Sequence, residues 1–320
     1  MTLPYLPRLV CLSLAAFFLV HLALGAVVSL IARPAVRLGE RIRPHVAARC
    51  LLVLRLLPAV GAAFIVVAVC LPSYLWLEPE APTERVGFGC MAVALLGIAT
   101  WGISIARGLR AAAGSRRFLR NCERTGRRTR LPGDRADAWI VDGAAPLLAL
   151  GGIVRPRLVV SRRVVSALSA EQLAAALRHE RAHWTSHDNL KRLCILLAPG
   201  GSRTIERGWR QFTEWAADDR AVAGSARRSF ALAAALVRVA RMAADAPMPP
   251  LALPLLGDAD QLSARVDRLL RPAAPGAPAA GPQPVLALSA IVAVAASLAV
   301  AILQPAALYS IHRALEHLVE

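Results

Sequence analysis

Four stretches of this chain are each long and apolar enough to cross a lipid bilayer, and they leave room for a single domain outside it. A helix needs about 20 residues to span the hydrocarbon core. The stretches are LVCLSLAAFFLVHLALGAVVSLIA (residues 9–32), LLPAVGAAFIVVAVCLPSYLWL (56–77), VGFGCMAVALLGIATWGISIA (86–106) and VLALSAIVAVAASLAVAIL (285–303). They account for much of the 56% of apolar residues in a chain of 320. The first contains ALGA at residues 23–26, small residues of the kind found at signal cleavage sites. Its apolar run continues past that point and is too long for a signal core, so a retained span is expected.

A net charge of +17 could indicate nucleic acid, but its placement indicates topology. Between the first two stretches Arg33, Arg37, Arg41, Arg43 and Arg49 face Glu40. The next loop carries Glu78, Glu80 and Glu84 against Arg85. After the third stretch come Arg107, Arg110, Arg116, Arg117, Arg120, Arg124, Arg127, Arg128 and Arg130, opposed by Glu123. Basic loops stay on the cytoplasmic side, so these segments are expected to lie inside, outside and inside. The N-terminus and the short C-terminal tail are then outside. The arginine run abuts a span and lacks interleaved aromatic residues, so no direct nucleic-acid binding is expected. Contact with the bilayer and its anionic headgroups accounts for it. The cysteines Cys11, Cys50, Cys70, Cys90, Cys122 and Cys194 show no CxxC pair and read as small apolar fillers. His21, alone inside the first span, reads as a partner for a neighbouring helix.

The expected division is three transmembrane helices with short loops over 1–110, a basic cytoplasmic connector over 111–130 and a cytoplasmic domain over 131–270. A linker over 271–284 and the fourth span with its external tail over 285–320 follow. The linker, RPAAPGAPAAGPQP, is too rich in proline and glycine to pack a core. In the domain, AWIVDG, PLLAL and RLVVSR are short apolar runs bounded by glycine and proline, which predicts strands of a small sheet. SAEQLAAALRHERAHW then opens a helix with Ser169 as N-cap and Gln172 three residues on, the pattern of a capping box.

That helix carries the chemistry. His179 and His183 stand four apart, one turn along the same face, where two imidazole nitrogens can reach one ion. Zinc accepts such a pair. Glu180 completes HExxH, placed to take a proton from water rather than to bind the metal. A catalytic zinc needs a third protein ligand and an open position. Downstream, RTIERGWRQFTEWAADDRAVAG predicts a second helix with Glu214 and Asp218 on one face. A turn at APGGS lets it return antiparallel, bringing Glu214 in as third ligand. Asp218, one turn on, suits a carboxylate that orients a ligating histidine. His187 is the alternative third ligand.

These segments resemble the BlaR/MecR-type membrane zinc metallopeptidases, relatives of the HtpX-like enzymes. The resemblance covers PLLALGGIVRPRLVVSRRVVSALSAEQLAAALRHERAHWTSHDNLKRL, EWAADDRAV and the late LSARVDRLL, together with the four-span layout. It implies an α-helical membrane protein with four transmembrane helices and an inserted α+β zincin-like metallopeptidase domain. By position it implies Zn²⁺ held by His179, His183 and Glu214, Glu180 as catalytic base, Asp218 as supporting acid and Asp188 as a structural residue at the helix end. It further implies a multi-pass protein of the bacterial cell membrane whose cytoplasmic protein substrate is a regulatory protein, possibly a winged-helix repressor of the BlaI/MecI kind. A quality-control peptidase of the HtpX-like kind, or a relay scaffold that uses the peptidase fold only for binding, are the alternatives. The sensing members carry a large extracellular penicillin-binding domain after the fourth span. Here QPAALYSIHRALEHLVE follows it, so β-lactam sensing by such a domain is not expected.

Overall fold

The computed structural model describes residues 5–77, 87–131, 137–142, 147–242, 253–254 and 259–271. Among the described residues, three helices are long and apolar enough to cross a membrane. The first is α1 (Tyr5–Gly39). The second begins as α2 (Pro44–Ile65) and passes through a π-helical turn (Val66–Cys70) into α3 (Leu71–Leu77). The third is α4 (Phe88–Thr125). The fourth apolar stretch, the linker before it and the tail after it lie outside the described residues. The three helices meet through Leu12, Ala16, Phe17, Ala62, Val66, Cys90 and Ala94. Leu22, Leu30, Val60, Phe64, Leu95 and Ile103 point outward and exposed, as lipid-facing side chains do. Where these helices contact one another, a buried polar pair joins Arg8 Nε, donating, to Tyr74 Oη at 2.6 Å. All six cysteines are free.

Regular structure runs through most of the basic stretch 111–130. Its helix-forming residues continue α4 out to Thr125, and Arg127–Arg130 already form β1. The sheet is ordered β1-β2-β4-β3-β5, with β2 (Asp137–Val141), β3 (Leu148–Gly151), β4 (Arg157–Ser161) and a two-residue β5 (Leu253–Pro254). β2 and β4 run parallel, and the other neighbours are antiparallel. Both faces of β3 and β4 are covered, which is why these strands read as unbroken apolar runs. Leu148, Leu150, Leu158 and Val160 pack with Leu173, Ala176, Leu177, Leu232 and Leu236 in the main core. Ala149 and Val159 on the opposite face meet Cys122, Phe118 and Leu119 at the end of α4.

After α5 (Arg162–Ala167), the histidine helix α6 spans Ala170–Ser186 and begins with the expected capping box between Ser169 and Gln172. At His187 the backbone turns left-handed, with φ 55°, and α7 (Asp188–Leu197) departs in a new direction. α8 (Arg203–Val222), α9 (Ala226–Met242) and α10 (Ala259–Leu270) follow.

The domain also shares a core with the spans. Ile195 of α7 and Ile205, Trp209 and Phe212 of α8 pack on Val28, Ala32, Ala47 and Leu51 of α1 and α2. Arg55 of α2, fully buried, fastens this seam. Its Nε donates to Glu206 Oε1 at 2.8 Å, and its Nη2 donates to the carbonyls of Ile195, Ala198 and Gly200. Those carbonyls lie at the unpaired end of α7, so the guanidinium caps it as it joins the spans. Gly201, at φ 117°, is required here, since a Cβ would sit 2.3 Å from the Arg55 guanidinium.

Candidate metal centre

Two antiparallel helices build the site. The i, i+4 spacing sets His179 and His183 on the face of α6 that meets α8, and Glu214 and Asp218 on the face of α8 that meets α6. All four side chains are buried, as is Glu180. The His179 and His183 Nε2 atoms lie 3.1 Å apart. Glu214 Oε2 lies 3.4 Å from His179 Nε2, and its Oε1 lies 3.6 Å from His183 Nε2. Tetrahedral zinc with bonds of about 2.0–2.1 Å keeps its ligands about 3.4 Å apart. The triangle therefore has the size of one face of a zinc coordination tetrahedron. Among the described residues, His179, His183 and Glu214 are the group able to hold a metal ion. His187, the alternative ligand, is exposed at the joint between α6 and α7 and outside this triangle.

The other ring nitrogens face carboxylates. Asp218 Oδ1 lies 2.9 Å from His179 Nδ1. His183 Nδ1 donates to Asp188 Oδ2 at 2.8 Å. Each carboxylate directs the opposite nitrogen, Nε2, into the triangle. Asp188, expected as a structural residue at the helix end, stands to His183 as Asp218 stands to His179. The left-handed turn at His187 makes this possible by swinging the start of α7 back toward α6. Lys191 Nζ donates to the other Asp188 oxygen at 2.9 Å. Asn189 Nδ2 ties the same turn to β3, donating to the carbonyls of Leu150 and Gly152.

A further residue enters from α10. Arg265, buried, reaches Asp218 with Nε and Nη2 at 2.9 and 2.8 Å and Glu214 Oε2 with Nη1 at 2.9 Å. It lay inside the LSARVDRLL segment without an assigned role. The available signal was an arginine on the face of an amphipathic helix that otherwise carries Leu262, Val266 and Leu269 into the core.

Electrostatics divide the acids. Burial would raise Glu214, but Arg265, His183 and His179 outweigh it and hold its carboxyl down to about 2. Asp218 is driven the same way, with burial outweighed chiefly by Arg265 and His179. At Asp188 burial is again outweighed, here by His183 and Lys191. Burial would lower His179, yet Asp218 and Glu214 hold it above its ordinary value. Glu180 moves the other way. Burial dominates, and its carboxyl is pushed up to about 8. Neither Glu180 oxygen has a hydrogen-bond partner among the described residues. The centre thus holds three ionised carboxylates, Glu214, Asp218 and Asp188, beside a neutral one at Glu180.

The family model of Peptidase family M48 matches residues 148–246, from β3 to just beyond α9. The match contains every site residue named above except Arg265 and supports a metallopeptidase, in a family that is zinc-dependent. No curated protein and no solved structure matches the chain.

Proposed function

We propose that the chain is a membrane-anchored zinc endopeptidase that cleaves a cytoplasmic regulatory protein, with a winged-helix repressor as the favoured substrate. The observation that carries the peptidase reading is the triangle of His179 Nε2, His183 Nε2 and a Glu214 oxygen, with sides of 3.1, 3.4 and 3.6 Å. The repressor follows from the resemblance to the BlaR/MecR type, and the cytoplasmic side from the arginine bias of the loops.

In this reading His179, His183 and Glu214 hold the metal, while Asp218 and Asp188 fix the tautomer and tilt of the two rings. A bound zinc supplies a Lewis acid that polarises a peptide carbonyl and acidifies water. Arg265 keeps Glu214 and Asp218 ionised and ready to accept a cation. Glu180, buried beside the triangle, is placed to take a proton from the attacking water and return it to the leaving amine. Its carboxylate must be ionised for this step, and a cation held by His179, His183 and Glu214 would favour that form. The substrate is read as an added strand on β3, the strand that Asn189 ties to the site. Leu253–Pro254 pairs with that edge of β3, at Leu150 and Ala149, and would have to yield to such a strand.

The test is cleavage of a candidate repressor by wild-type and Glu180→Gln protein, with zinc measured on the same samples. The expected result is about one zinc per chain in both and a loss of roughly 10²–10⁴-fold in rate for the variant. Undiminished cleavage or signalling by a zinc-loaded Glu180→Gln protein would leave the scaffold reading in its place.

A further inference from the structure

A second cavity, of about 290 Å³, opens where the peptidase helices meet the spans. It lies between the first turns of α2, the joint of α6 and α7, and α8. Its wall carries Arg49, Lys191, Arg220, His45 and His187, and one carboxylate, Asp188. Both oxygens of that carboxylate are already engaged, by His183 and by Lys191. Arg49 forms no hydrogen bond or ion pair among the described residues. Arg220 donates to the carbonyl of Ala182 and the hydroxyl of Ser186, neither of which neutralises it. The fields of Arg49, Arg220 and Arg43 converge on His45, opposed by Asp219, which Arg268 already engages at 2.6 Å. Three fixed positive charges therefore share a concave wall with one negative charge that is already satisfied.

The cavity's height along α2 is informative. Val53, Leu57, Val60, Phe64 and Val67 form an exposed apolar stripe on that helix. Arg49 stands one turn before Val53, about 5–6 Å along the axis. It therefore stands at the end of the apolar stripe, the position at which a spanning helix passes into a headgroup layer several ångströms wide.

We propose that this cavity binds a phosphate-bearing anion, supplied by the headgroup of an anionic phospholipid. A phosphodiester offers charged acceptor oxygens to the forks of Arg49 and Arg220. The hydroxyls of Thr185, Ser186 and Thr213 on the same wall suit the polar remainder of a headgroup. The site is separate from the metal triangle and independent of the peptidase reading. The two meet at Asp188, which lines the cavity and is engaged by both Lys191 and His183, and along α8, where Thr213 and Ala217 adjoin Glu214 and Asp218.

The experiment is a titration of the full chain in neutral detergent with short-chain phosphatidylglycerol, phosphatidylcholine or inorganic phosphate, followed by tryptophan emission, since Trp209 lines the cavity. The expected result is saturable binding of phosphatidylglycerol in preference to phosphatidylcholine. Arg49→Gln should weaken it about fivefold, and the double variant with Arg220→Gln about 30-fold, as each basic group near a membrane surface contributes on the order of 1 kcal/mol. Arg107→Gln with Arg110→Gln, on the exposed face of α4, should change it little. Arg49 has no partner to lose, so its variant tests the site without a folding cost. Equal affinity for phosphatidylcholine, or equal loss in the α4 double variant, overturns the proposal. Binding of inorganic phosphate without phosphatidylglycerol overturns the lipid source and leaves a soluble phosphate as ligand.

Discussion

Glu180 makes the metal-free protein respond to pH in a way that one substitution should abolish. Its carboxyl has a pKa of about 8 in the fold against 4.5 in an ordinary setting. Below pH 4.5 it is protonated both folded and unfolded, and its contribution to stability is fully present. As pH rises, the unfolded chain releases this proton while the folded chain retains it, so stability falls by about 1.4 kcal/mol per pH unit. The decline ends near pH 8, where the folded carboxyl also ionises, after a total loss of roughly 5 kcal/mol. Glu180→Gln removes the titration and keeps the shape. His179, held above its ordinary value of 6.5, loses its contribution only as pH rises beyond that value, and it does so in both proteins and cancels in their difference. Glu214, Asp218 and Asp188 have lowered values, so their contribution is lost only as pH falls below their ordinary range. The assay is thermal unfolding of chelator-treated protein in detergent, followed by tryptophan emission, from pH 5 to 9. The gap between variant and wild type should widen in the variant's favour by roughly 4 °C per pH unit and level off above pH 8. Parallel curves would show that Glu180 is hydrated in the fold, and the argument for a dry base would fail.

Asp188→Asn and Asp218→Asn should each weaken zinc binding by about 10–100-fold, measured by competition with a chromogenic chelator. Equal losses would give the two carboxylates equal standing, and an unaffected Asp188→Asn protein would reduce Asp188 to a helix-end brace. Arg265→Gln strips the cation from Glu214 and Asp218 and should destabilise the metal-free protein by about 3–5 kcal/mol, read from denaturant midpoints at neutral pH. A reporter fused after Arg130 should behave as cytoplasmic and one fused after Leu318 as external, and the reverse pattern would place the site on the other side of the membrane.

Much of the fold was legible because its signals are local. The three described spans follow from runs of apolar residues, and the strands at 137–141, 148–151 and 157–161 from short apolar runs bounded by turn residues. The start of α6 follows from a capping box four residues long. What the sequence concealed depends on contacts distant along the chain. The continuation of α4 to Thr125 is hidden because its basic residues read as a loop of topogenic charge, although arginine is a good helix former. The left-handed break at His187 is hidden because glycine or asparagine is the usual residue there and histidine gives no warning.

The metal centre divides along the same line. His179, His183 and Glu180 were legible because helical periodicity alone fixes their relative positions, and Glu214 and Asp218 because the same periodicity repeats on a second helix. The residues that tune them come from elsewhere. Asp188 reaches His183 only because the chain reverses at His187, and Arg265 reaches Asp218 from 47 positions away. Arg55 illustrates the physical reason most sharply. Along the chain it stands unassigned at the edge of the second apolar stretch, where an isolated arginine in hydrocarbon would be costly. In the fold it is almost completely buried, because three carbonyls around the end of α7 and the Glu206 carboxylate replace its water. The carbonyls can accept it only once α7 ends at that spot, which Pro199 enforces by holding Ala198 extended, and Gly201 then leaves room for the guanidinium. The helix end and the glycine are announced locally by APGGS, but that a guanidinium 140 positions earlier fills the gap between them leaves no trace in the order of residues along the chain.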